Sequence, residues 1–87
     1  MTLNKTMQAL TDPTRRSILE LLKKKDMAVG EMAKNFSITL PSLSHHLSVL
    51  KQANLVSSRK KGQENIYSLN LSVFEEIAKL LIKFFKK

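Results

Sequence analysis

One change of period sets what this chain can fold into. From Leu3 to Ala53 the apolar residues recur at helical intervals, and from Ser72 onward they do so again. Between these stretches, residues 56–60 and 65–69 read as two short strands around the turn Lys61-Gly62-Gln63-Glu64. The pattern specifies helices, then one hairpin, then a closing helix: a mainly α fold with a small β-hairpin.

The helical part divides at its own punctuation. Leu3, Met7 and Leu10 outline a short first helix. Asp12-Pro13 reads as an N-cap followed by proline at the first helical position. Ile18, Leu19 and Leu22 form the apolar stripe of the helix that it opens, and Lys23, Lys24 and Lys25 lie at its C-terminal end, where cations suit the helix dipole. Met27, Ala28 and Val29 predict a brief extended piece. Residues 30–36 predict a short amphipathic helix with Met32, Ala33 and Phe36 inward. After a turn at Ser37-Ile38, Thr39 caps a helix over residues 40–53, with Pro41 tolerated in its first turn. Leu43, Leu47 and Leu50 make its buried stripe. Ser72, with Glu75 three residues later, predicts a capping box at the start of the last helix.

The 87 residues fill one domain, taken to span residues 1–87, and a domain of that size has much surface for its volume. The absence of cysteine excludes disulfides, iron–sulfur clusters and thiolate zinc sites. The N-terminal stretch has no secretory pattern and no segment is apolar enough to span a membrane, so a cytoplasmic location is expected. Fifteen Lys and Arg against seven Asp and Glu leave a net charge of +8. That excess points to an anionic partner, nucleic acid before an anionic membrane surface. A basic surface also serves solubility alone, so the motifs must decide.

With the leucine stripe inward, a step of about 100° per residue puts Pro41, Ser42, His45, Ser48, Val49 and Gln52 on the outer face of the helix over residues 40–53. Small and polar groups there suit entry into a DNA major groove, where bulk would hold the helix away from the base edges. Ser42, Ser44 and His45 lie in its N-terminal part, the part that reaches bases in helix-turn-helix proteins. Val49 is placed to touch a thymine methyl. The same pattern also describes an ordinary amphipathic surface helix; the short helix, the tight turn and the basic hairpin around it favour DNA binding. At the hairpin tip Arg59, Lys60 and Lys61 crowd beside Gly62. They serve phosphate or minor-groove contact, or simply a lysine-rich edge that blocks aggregation.

His45-His46 does not read as a metal pair, because adjacent residues on a helix diverge by about 100°. His46 reads as a hydrogen-bonded histidine at the core edge, and His45 points outward. No Gly-rich phosphate loop, paired carboxylates or activated serine is evident, so neither catalysis nor a cofactor is expected.

Asp12-Pro13-Thr14-Arg15-Arg16, followed by Ile18-Leu19 and Leu21-Leu22, resembles the opening of the ArsR-type winged helix-turn-helix repressors. Residues 41–50, with their Ser-His-His-Leu core, resemble that family's recognition helix. Residues 56–62, closed by Tyr67-Ser68-Leu69, resemble its wing. The short, cysteine-free chain looks most like the SdpR-type autorepressor branch. The resemblance implies a homodimer built from the first and last helices, an inverted-repeat DNA site and repression by promoter occlusion. It implies recognition-helix contacts from Thr39, Leu40, Pro41, Ser42, Ser44, His45 and Val49, and wing contacts from Arg59, Lys60, Lys61 and Gln63. Arg15, Arg16 and Lys51 are secondary phosphate candidates, although helix-surface arginines such as Arg15 and Arg16 commonly pair with acids such as Glu20 instead. The departures are equally informative. Ala28 and Gly30 stand where metal-sensing members carry Cys-x-Cys, and residues 72–87 lack the Asp and His of the other metal site. No metal is therefore expected. Leu40 stands where many members carry a polar residue.

On the last helix Phe74, Ile77, Ala78, Leu81 and Phe84 form one apolar face, widened by Leu80 and Phe85. A face this broad needs more cover than a small domain supplies. Pairing with a second copy, together with Leu3, Met7 and Leu10 of the first helix, provides it. Packing on its own domain alone, or on a regulatory protein or a membrane surface, are the competing readings, as is control by a small ligand.

Overall fold

In the computed structural model the described residues are 3–86, with only the backbone described at Leu3. The chain runs α1 (Leu3–Thr11), α2 (Pro13–Lys24), β1 (Met27–Ala28), α3 (Val29–Ala33), α4 (Leu40–Gln52), β2 (Val56–Lys61), β3 (Glu64–Leu69) and α5 (Leu71–Phe85). The expected order of helices and hairpin is observed.

Each break has a local cause. Asp12 is extended at φ −88° and its carboxylate accepts the Arg15 N–H, with Pro13 at the first position of α2. Thr39 does the same for α4, its hydroxyl accepting from the Ser42 N–H at 3.2 Å. At the other end of α4, Asn54 adopts φ 61°. The Asn54 N–H donates to the Lys51 carbonyl and the Leu55 N–H to the Leu50 carbonyl, both at 3.0 Å. These two bonds, with Leu50 and Leu55 both fully buried, make a Schellman termination with asparagine in the left-handed position usually held by glycine.

Three boundaries differ from expectation. The short helix ends at Ala33 instead of Phe36, because the Asn35 and Phe36 N–H groups bond three residues back, to Met32 and Ala33, and the chain tightens. The hairpin turn shrinks to Gly62-Gln63; φ is +63° at Gly62 and not positive at Gln63, as a type II′ turn requires. The Ser72–Glu75 capping box does not form. The last helix begins at Leu71, and Ser72 donates its hydroxyl to the Asn70 side chain at 3.0 Å.

The extended piece at Met27-Ala28 becomes a third strand. It pairs antiparallel with β3, Met27 opposite Tyr67 and Ala28 opposite Ile66, giving the order β1-β3-β2. The core lies between this sheet and the helices. Ile18, Leu19 and Leu22 of α2, Met32 of α3 and Leu43, Leu47 and Leu50 of α4 meet Leu55, Val56 and Met27 there. The α5 helix has no buried residue; Val73, Phe74 and Ile77 cover the core edge from one side.

The left-handed residue after α4 gives a test. A β-carbon without a polar side chain costs roughly 1–2 kcal/mol in that conformation. Asn54→Ala should therefore lower unfolding stability by about 1 kcal/mol, and Asn54→Gly should hold or raise it, as measured by urea denaturation.

Candidate nucleic-acid interface

The interface rests on a joint between helices. The last carbonyls of α1 lack backbone N–H partners within the helix. Arg15 supplies two of them, donating through Nε to Ala9 O at 3.0 Å and through Nη2 to Gln8 O at 2.9 Å. Arg16 reaches Leu10 O at 2.7 Å. The third arm of Arg15 meets His46 Nδ1 of α4 at 3.2 Å. A guanidinium only donates, so this contact needs Nδ1 as acceptor. His46 is thus the hydrogen-bonded core-edge histidine expected, its side chain 15% exposed. Both arginines turn to carbonyls and not to Glu20. Arg15 is half-buried in this joint, whereas Arg16 stays exposed.

On α4, Leu40, Pro41, Ser44, His45, Ser48, Lys51 and Gln52 are exposed, whereas Ser42 and Val49 are half-buried at the margins. Val49 packs against the core and Ser42 lies in the cap. The open face is therefore rotated from the one drawn on a helical wheel: it centres on Ser44 and Ser48. Ser48 was absent from the expected contact set although its spacing from Ser44 and His45 put it on their side. Thr39 is exposed, with its hydroxyl serving the cap. The rings of His45 and His46 lie 6.0 Å apart and tilted by 54°, and the two residues face different surroundings.

Strand alternation divides the wing. Ser58 lies opposite Tyr67, Arg59 opposite Ile66, Lys60 opposite Asn65 and Lys61 opposite Glu64. Side chains two apart share a face, so Ser58 and Lys60 share one, and Arg59 and Lys61 the other. Lys51 Nζ donates to Ser58 Oγ at 2.8 Å, which fixes the Ser58–Lys60 face as the one beside α4. Arg59 instead holds Asp26 Oδ2 and Ser68 Oγ, each at 3.2 Å. That exposed ion pair is worth about 1 kcal/mol or less; it orients Arg59 without locking it. Gln63 is exposed in the turn. Among the described residues Ser44, His45, Ser48 and Lys60 make no side-chain hydrogen bond or ion pair. The surface formed is a strip of small polar groups along α4, edged by Lys51 and Lys60.

The apolar face of α5 also divides. Phe74 and Ile77, together with Leu10 of α1, pack against the core. Leu71, Leu81, Ile82, Phe84 and Phe85 stay exposed, Phe84 and Phe85 by 78% and 85%, as does Met7 on α1. The expectation at Leu3 concerns a side chain outside the described residues.

Helices α2, α3 and α4, the last with one face open, followed by the β2–β3 hairpin as a wing on its flank, define a winged helix-turn-helix. Residues 12–58 match the family described as bacterial regulatory protein, arsR family. The chain belongs to that family. It is 46% identical to the transcriptional repressor SdpR of Bacillus subtilis (strain 168) over 85 residues, 98% of this chain and 94% of that protein. Among solved structures it resembles an ArsR-like transcriptional regulator from Rhodococcus sp. RHA1 (TM-score 0.85, 28% identity, covering 94% of this chain and 77% of that one). It also resembles NolR from Sinorhizobium fredii (TM-score 0.76, 34% identity, covering 95% and 83%). At the family's metal positions the side chains do not fit an ion. Ala28 is buried in β1, Gly30 is the second residue of α3, and neither has a side chain that can donate to a metal. Among the described residues no three His, Cys, Asp or Glu side chains gather around a common point.

The joint makes a pH prediction. The hydrogen bond from the Arg15 backbone N–H holds the Asp12 carboxyl below its ordinary value, with desolvation opposing. A carboxyl lowered by folding contributes stability above its unfolded value of about 4, and loses it as pH falls through the folded value. Asp12→Asn keeps an acceptor but cannot titrate. In acid titrations followed by circular dichroism, this variant should lose less stability below about pH 4 than the wild type.

Proposed function

We propose that this protein is a cytoplasmic transcriptional repressor that binds an inverted-repeat DNA site as a homodimer, without a metal. The observation that carries the reading is the continuous strip of unpartnered small polar side chains on α4, edged by Lys51 and Lys60, on a chain of net charge +8. Two such helices, related by a twofold axis, would enter successive major grooves about 34 Å apart. Ser44, His45 and Ser48 face the base edges, with Thr39, Leu40 and Pro41 at the entering end and Ser42 and Val49 at the margin. Lys60 takes phosphate beside the groove. Arg59, Lys61 and Gln63 meet the backbone from the far face and tip of the wing, Arg59 by exchanging Asp26 for phosphate. Occupancy of the operator blocks the promoter.

The homodimer is supported by the uncovered side of α5. Leu71, Ala78, Ile82 and Phe85 recur along one line of the helix, with Leu81 beside them, while its other apolar side is used by the chain's own core. A self-complementary stripe of this kind suits a twofold contact. Burying a residue such as Ile or Phe contributes about 1.5–3 kcal/mol.

Two experiments test these parts separately. Binding to a duplex should weaken linearly in log affinity against log salt, with a slope of about −0.9 per phosphate contacted. Lys60→Ala should make that slope shallower by about 2 for a dimer, one contact per protomer. An unchanged slope removes Lys60 from the interface. Ile82→Glu should convert a two-chain species to a single chain in sedimentation equilibrium at micromolar concentration. If the wild type is already a single chain, the twofold reading fails.

A further inference from the structure

Within the DNA-binding reading just given, on which this rests, we infer that Leu40 reads the 5-methyl group of a thymine and so sets one base of the operator in each half-site. Leu40 is the first residue of α4 and is 57% exposed. It takes no part in the core, which α4 reaches through Leu43, Leu47 and Leu50. Among the described residues, the other large apolar side chains left exposed belong to α1 and α5. Leu40 is thus an exposed large apolar side chain at the entering end of a polar strip, beside Pro41 and one turn before Ser44.

The major groove shows one apolar group, the thymine methyl, and hydrogen-bonding groups elsewhere. A leucine held against a G·C pair or an adenine edge covers polar atoms without satisfying them, which costs free energy. Against a thymine it buries a methyl on both sides. The first turn of a recognition helix is the part that approaches the base edges, so Leu40 is placed to make this choice. Val49, the other branched aliphatic residue on α4 outside the leucine stripe, is half-buried against the core. The serines accept several base edges and discriminate weakly. The leucine therefore carries a sharper preference than the polar residues around it.

The test removes only the methyl. Duplexes selected from a random 30-base-pair pool by the wild-type protein are resynthesised with single thymines replaced by deoxyuridine. Affinity is measured for the wild type and for Leu40→Ala, with melting curves confirming that both are folded. Losing one buried methyl weakens binding about fourfold, so one thymine per half-site should show that loss with the wild type and no loss with Leu40→Ala. If no thymine shows it, or if Leu40→Ala keeps the same sensitivity, Leu40 does not read a methyl. If selection enriches no sequence, the DNA-binding reading itself falls and this inference with it.

Discussion

The Arg15 guanidinium is the contact on which the arrangement of helices depends. It bonds two carbonyls at the end of α1 and the His46 ring of α4, while its own backbone N–H is held by Asp12 at the start of α2. Hydrogen bonds with a charged donor are stronger than neutral ones, and part burial of this one limits competition by water. The leucine stripe of α4 fixes that helix against the core but leaves rotation about the stripe weakly determined. A polar contact at its edge, to a residue rooted in α2, removes that freedom. The presentation of Ser44 and Ser48 thus follows from a residue that need never touch a ligand.

A second set of contacts makes helix and wing one body. The Asn54 termination turns the chain directly from α4 into β2. Asn70, just beyond β3, donates from its backbone to Leu55 and from its side chain to Asn54, both at 3.0 Å. The far end of the hairpin is thereby tied to the same turn, and Lys51 binds Ser58 across the angle between helix and strand. Lys60 rides on this framework. Its distance from α4 is set by backbone geometry instead of by loop flexibility, which suits a cation that must meet a phosphate at a fixed offset from the bases.

Features written in local chemistry were legible in the sequence. Asp12-Pro13 and Thr39 announce helix starts through their capping oxygens, and Leu43, Leu47 and Leu50 announce a buried side through their spacing. Features that depend on meeting a distant segment were not. Nothing near Arg15 in sequence indicates that its partners are Gln8, Ala9 and His46. The third strand needed β3 to arrive beside Met27-Ala28. Ser72 and Glu75 have the right spacing for a capping box, but Asn70 was already tied to Asn54, and the helix began one residue earlier. The wing is a different case. Alternation along β2 was available from sequence and separates Lys60 from Arg59 and Lys61, yet proximity in sequence made the three read as one cluster.

The proposed interface separates attraction from choice. A net charge of +8 supplies a salt-dependent pull toward any duplex, and that pull carries no sequence information. The side chains positioned to choose are few, and serine hydroxyls accept more than one base edge. One copy would therefore discriminate poorly. Two copies on a twofold axis read the same bases twice, so the free-energy differences add and the discrimination ratios multiply. The uncovered stripe on α5 and the sparse reading face on α4 thus answer one problem. In the proposed dimer, a reading face with few base contacts gains specificity by repeating them, and the α5 stripe that the core leaves uncovered is the surface proposed to pair the copies.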